Sequence, residues 1–108
     1  MPSLRQRKRY IVFEIISDEA IKDERLVWSK IRETTRDFLG TLGFAKAGPR
    51  FVGNCWSNEK QKGIIQVNHD CLDHVRACLA QVQNINGSPV IVRSVGVSGI
   101  LNKAKNLL

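Results

Sequence analysis

The chain has 108 residues and 12.2 kDa, 43% of them hydrophobic, with 17 Lys and Arg against 10 Asp and Glu and a net charge of +7. That is enough for one domain with one core in two layers, and it excludes a two-domain enzyme built round a cofactor cleft. The three cysteines are an odd number behind a charged rather than apolar N-terminus, which excludes a disulfide-stapled scaffold and points to a reducing, cytoplasmic setting. No run approaches the roughly 18 apolar residues of a membrane span.

Residues 1–8 read as a basic flexible arm, and residues 9–108 as a single domain. Arg-Tyr-Ile-Val-Phe-Glu-Ile-Ile at 9–16 alternates as a strand. Ile11, Phe13 and Ile15 would face the core, and Tyr10, Val12, Glu14 and Ile16 the other side. Apolar residues on both faces place this strand centrally in its sheet. Ser17-Asp18 and Asp23 are alternative caps for a helix over about Glu24–Leu39. On a helical wheel Val27, Ile31, Thr34, Phe38 and Leu42 form its apolar face, flanked by Trp28 and Thr35, and Gly40 and Gly43 end it. Residues 50–56 and 62–68 read as strands, joined by the polar turn Ser57–Lys60 into an antiparallel hairpin. Residues 71–84 carry Leu72, Val75, Leu79 and Val82 at helical spacing. Asn86-Gly87 is a tight turn, and Pro89 opens a strand over 89–95, with Val90 and Val92 towards the helices and Ile91, Arg93 and Val95 on the other face. Gly96-Val97-Ser98-Gly99 leads to a short basic helix over about 99–107, with Ser98 as its cap.

Strand, helix, strand, strand, helix, strand is the order of an α+β, ferredoxin-like, split β-α-β sandwich, similar in outline to the RNA-recognition fold. A four-stranded antiparallel sheet carries two helices on one face. Its second face stays open unless the C-terminal helix or a partner covers it.

The chemistry-bearing residues give no catalytic constellation. Asp18, Glu19, Asp23 and Glu24, like Asp70 and Asp73, lie where helix N-termini favour acids. Cys71, His74 and Cys78, with Cys55 and His69 as the only distant complements, lack paired zinc-ligand spacing, and the wheel merges the cysteines with the apolar stripe. The informative groups are basic. Residues 1–9 carry +4 through Arg5, Arg7, Lys8 and Arg9, residues 10–42 carry −2, and residues 43–108 carry +5. Such asymmetry suits a polyanion partner. Arg25, Arg32 and Arg36 share one stripe of the first helix. Arg50, Lys60, Lys62, Arg93, Lys103 and Lys105 form a second set, and the Gly96–Gly99 turn with Ser98 can present donors to a phosphate. The third strand has no aromatic residue on which a base could stack as in an RNA-recognition sheet. On the first strand only Tyr10 could serve, beside aliphatic Val12 and Ile16. Tyr10, Val12, Ile16, Ile91 and Val95 are therefore candidates for contact with another protein.

The run Lys8-Arg9-Tyr10-Ile11-Val12-Phe13-Glu14-Ile15-Ile16-Ser17, with Gly63-Ile64-Ile65, Ile85-Asn86-Gly87-Ser88 and Val90 to Gly99, resembles the archaeal ribonuclease P component 2 family, homologous to the eukaryotic Pop-five subunit. The likeness spans about residues 7–105 and departs after Gly99, where Ile100-Leu101-Asn102 replaces the usual Thr-Ile. The resemblance implies the fold derived above and a protein that is not a catalyst on its own. It implies binding to ribonuclease P RNA, which removes the 5′ leader of precursor tRNA with Mg²⁺, so that the protein itself holds no cofactor. It also implies a two-plus-two assembly with ribonuclease P protein component 3, alongside other ribonuclease P proteins. An autonomous nuclease would need converging acids or histidines, and a pure protein-interaction module would be indifferent to RNA.

Overall fold

The computed structural model describes residues 7–108; Arg5 and the arm up to Gln6 lie outside the described residues. Among the described residues there are five strands: β1 (Lys8–Ser17), β2 (Arg50–Phe51), β3 (Lys62–Asn68), β4 (Asn84–Ile85) and β5 (Ser88–Ser98). They form one antiparallel sheet in the order β2-β3-β1-β5-β4. β1 sits at the centre, as its two apolar faces require. Helices α1 (Glu24–Ala47) and α2 (Leu72–Leu79) cover one face, and a short α3 (Leu101–Lys105) follows β5. The architecture is the α+β, ferredoxin-like sandwich expected, with β4 as an added edge.

The main core lies between sheet and helices. It joins Ile11, Phe13 and Ile15 of β1 to Ile65 and Val67, Val27 and Ile31, Val75 and Leu79, and Val90 and Val92. An aromatic stack closes one end: Phe13 lies 6.2 Å from Trp56 and 6.3 Å from Phe51, whose ring stacks on Trp28 at 5.7 Å. Gly63, directly opposite Phe13, makes this possible, because a Cβ there would come within 2.8 Å of the Phe13 ring.

Several elements differ from the sequence expectation. Asp23 is the α1 cap, its carboxylate accepting from the Arg25 N–H at 3.0 Å. α1 breaks at Gly40 (φ 74°, ψ 173°) and resumes to Ala47, where Gly48 in the left-handed region closes it by donating to the Phe44 carbonyl. Phe38 and Leu42 are 61% and 86% exposed, not core residues; burial on α1 stops at Thr35 and resumes only at Ala47, because no described element covers the turn between. The strand expected over 50–56 is two residues long and turns into a 3₁₀ segment at Gly53–Cys55. The second helix begins as 3₁₀ at His69–Cys71 and ends at Leu79, not residue 84. β5 runs on through Gly96-Val97-Ser98, with a bulge where Val12 and Phe13 face Gly96 and Ser94. Gly96 serves close approach rather than a turn: a Cβ there would meet Leu107 at 2.7 Å. α3 is shorter than predicted, and Ser98 does not cap it; its hydroxyl accepts from the Ile100 N–H and donates to the Ile100 carbonyl.

α3 covers half of the second sheet face. Ala104 seals Val12, Ile64 and Cys55 into a small second core, with Tyr10, Val52, Leu101 and Leu108 at its rim. Ile16 and Ile91 remain exposed on the other half, at 48% and 61%.

Candidate nucleic-acid interface

Strand register brings one polar row across the sheet. Arg50 faces Gln66, Gln66 faces Tyr10, and Tyr10 faces Ser98. Cross-strand partners share a face, and adjacent strands lie about 4.8 Å apart, so these four side chains stand side by side on the face that carries α3. Within the row the Gln66 amide donates to the Tyr10 hydroxyl at 3.0 Å. Arg50, Gln66 and Tyr10, with Phe51, Val52, Gly53, Asn54 and Leu101, line a cleft of about 250 Å³. Among the described residues Arg50 makes no ion pair. Lys103 and Lys105 are exposed on α3, whose first residue, Leu101, lines the cleft. Gln66 and Asn54 were missed by sequence reasoning; the signal for Gln66 is a polar residue interrupting Ile64-Ile65-Gln66-Val67 in register with Tyr10.

The remaining candidates divide between two sides of the sheet. Arg25, Arg32 and Arg36 are exposed on α1, across the main core from the polar row. Arg25 is tied to Asp23, whose carboxyl its hydrogen bonds hold below the ordinary aspartate range. Arg36 lies over the Phe44 ring at 5.5 Å and clasps the two halves of α1 across Gly40. On the open sheet half, Lys62, Glu14 and Arg93 face one another in register, and Arg93 is hydrogen-bonded to Glu14, so its charge is balanced. Lys60 and Lys62 donate to the carbonyls of Leu108 and Leu107 at 2.8 and 3.4 Å and so hold the end of α3 against the sheet. Lys8 is bonded to the buried Asn68, which also donates to the Lys46 carbonyl at 2.7 Å. Arg7 accepts from the His69 N–H through its carbonyl, and Arg9 lies beside Gly99 with its guanidinium donating to the Lys8 carbonyl.

Of the residues proposed for protein contact, Ile16, Ile91 and Val95 are exposed on the uncovered half of the face. Val12 is fully buried beneath α3 and is corrected to a core residue. Tyr10 is half-buried in the cleft. Cys55, Cys71 and Cys78 are all buried, and burial raises the Cys78 thiol above its ordinary value. His69 and His74 are exposed, and the His69 imidazole lies 3.0 Å from the Asp70 carboxylate.

Comparison with known proteins adds four findings. A family model described as the Rpp14/Pop5 family matches residues 9–108. The chain is 40% identical over 105 residues to ribonuclease P protein component 2 of Pyrococcus abyssi, covering 96% of this chain and 86% of that protein. It is 36% identical over 104 residues to the component of the same name in Methanocaldococcus jannaschii, covering 96% and 74%. Its fold is similar to a chain in the cryo-EM structure of yeast ribonuclease MRP, with a TM-score of 0.67 at 17% identity over 93% of this chain and 79% of that one.

Proposed function

The chain belongs to the Rpp14/Pop5 family, and from that membership we propose that it is a protein subunit of ribonuclease P which binds the catalytic RNA and supports its cleavage of the 5′ leader from precursor tRNA. The observation that carries this reading is the row Arg50, Gln66, Tyr10 and Ser98 on the sheet face that carries α3, a helix with exposed Lys103 and Lys105. That face presents cations to phosphates without any converging acid or histidine pair to do chemistry. Arg7, Lys8 and Arg9 extend it along the end of β1. Lys60, Lys62 and Ser98 act mainly by fixing α3 and the β5 terminus beside it. Arg32 and Arg36 lie on the opposite side of the molecule and reach only a second RNA segment, or none.

Ile16, Ile91 and Val95 are assigned to a protein partner, ribonuclease P protein component 3, in a two-plus-two assembly. Arg93, neutralised by Glu14, belongs with that surface rather than with the phosphates. In this reading Mg²⁺ is required by the RNA.

The test is reconstitution. Precursor tRNA cleavage by the cognate RNA is measured at moderate Mg²⁺ with this protein, with component 3, and with both. Stimulation that requires both supports the proposal. Binding to the RNA should weaken steeply with salt, and Arg50→Gln, Lys103→Gln and Lys105→Gln should each lower the salt slope by about 1. Absence of stimulation with folded partners, or a salt slope unchanged in all three variants, overturns it.

A further inference from the structure

We propose that the cleft between Arg50, Gln66 and Tyr10 is a subsite for one unstacked nucleotide of single-stranded RNA. This rests on the RNA-binding reading above and names what that surface recognises.

Size is the first argument. The cleft holds about 250 Å³, below the roughly 300–1,000 Å³ of sites for drug-sized molecules. One flat ring system fits; a helix or a larger cofactor does not. Composition is the second. The apolar walls are Tyr10, Val52 and Leu101, the Phe51 ring itself lying in the main core, and the polar groups beside Arg50 are amides, Gln66 and Asn54. An amide offers both a carbonyl acceptor and paired N–H donors, which suits the mixed donor and acceptor edge of a base. Gln66 commits one N–H to the Tyr10 hydroxyl at 3.0 Å. That bond fixes the amide and the ring relative to each other before any ligand arrives. Arg50 stands next in the row, one strand spacing from Gln66, placed for a phosphate that enters with the base.

The geometry favours RNA over a protein side chain as occupant. The exposed apolar pair Ile16 and Ile91 lies six residues along β1 from Tyr10, about 20 Å away at strand rise, so a protein seated there does not need the cleft. A base in a duplex has its pairing edge occupied and cannot enter, which selects loops, bulges and ends. Tyr10 therefore contacts RNA, in place of the protein contact expected from sequence. One aromatic residue with two amides, rather than a row of aromatics, makes this a single-nucleotide site.

The test uses the full chain with two probes: a single-stranded oligoadenylate carrying one 2-aminopurine, and an RNA duplex. The wild type should quench the fluorescent base and bind the oligonucleotide in preference to the duplex. Tyr10→Leu should weaken oligonucleotide binding about ten-fold and abolish the quenching, while Tyr10→Phe, which keeps the ring, should stay within about two-fold. Arg50→Gln changes an exposed residue and leaves the fold intact. It should weaken the same complex and lower its salt slope by about 1, which keeps the proposal falsifiable if Tyr10→Leu unfolds. Oligonucleotide binding unchanged in the folded variants overturns the subsite, as does equal preference for the duplex. So does a Tyr10→Leu defect confined to binding of protein component 3. Binding of ribonuclease P RNA with no binding of the oligonucleotide overturns the subsite but leaves the RNA-binding reading standing; binding of neither removes both.

Discussion

Gln61 carries more of this structure than its position in a polar turn suggests. It sits in the left-handed region at φ 55°, a conformation few residues other than glycine adopt without cost. Its amide accepts from the Ile21 N–H at 2.8 Å and donates to the carbonyls of Ile21 and Asn58 at 2.9 and 2.8 Å. One buried side chain thus ties the loop before α1 to the turn before β3. Gln61→Ala strands three backbone groups, each of which then lacks its partner. The expected loss is about 1–3 kcal/mol, read as a lower denaturant midpoint with an unchanged slope. The sequence hides this role, because Glu59-Lys60-Gln61-Lys62 reads as a solvated turn and nothing local marks one of its four polar residues as buried. Asp23 is the opposite case. It was one of two legible caps, and only the direction of the chain into α1 decides between them.

The elements found from sequence are those with a long, clean period. β1, expected over 9–16, runs Lys8–Ser17 with Ile11, Phe13 and Ile15 in the core as its alternation requires, and β3 spans the expected 62–68. β4 is two residues long and offers no period at all, although the Asn86-Gly87 turn beside it was legible from the left-handed geometry those two residues tolerate. α1 fails in an instructive way: a wheel drawn through Leu42 assumes one continuous helix and continuous cover along it, and Gly40 removes the first while the fold denies the second. Leu42→Glu should therefore change stability by less than about 0.5 kcal/mol, whereas Ile31→Ala, at 1% exposure, should cost about 2–5 kcal/mol. Comparable losses in thermal melts of the two variants would contradict the burial pattern of α1.

At the scale of the molecule, the sequence listed the basic residues but not which of them share a side. That depends on cross-strand register, which joins Arg50 to Tyr10 across forty residues of chain, and on α3, whose cover over Val12 no local pattern announces. Register has a second consequence. β4 pairs only with Ser88 and Pro89, so among the described residues the outer backbone edge of β5 from Ile91 onward has no neighbour. An open edge is a template on which identical chains stack into aggregates. The extra residue at Val95 interrupts the ladder there, adding local twist, and the charged Arg93 stands beside it. Deleting Val95 would let Ser94 and Gly96 follow in unbroken register without turning Val97 out of the core. Sedimentation of that variant should show stronger concentration-dependent association than the wild type at equal concentration. The bulge is thus a guard on solubility, keeping an exposed ribbon from recruiting copies of itself.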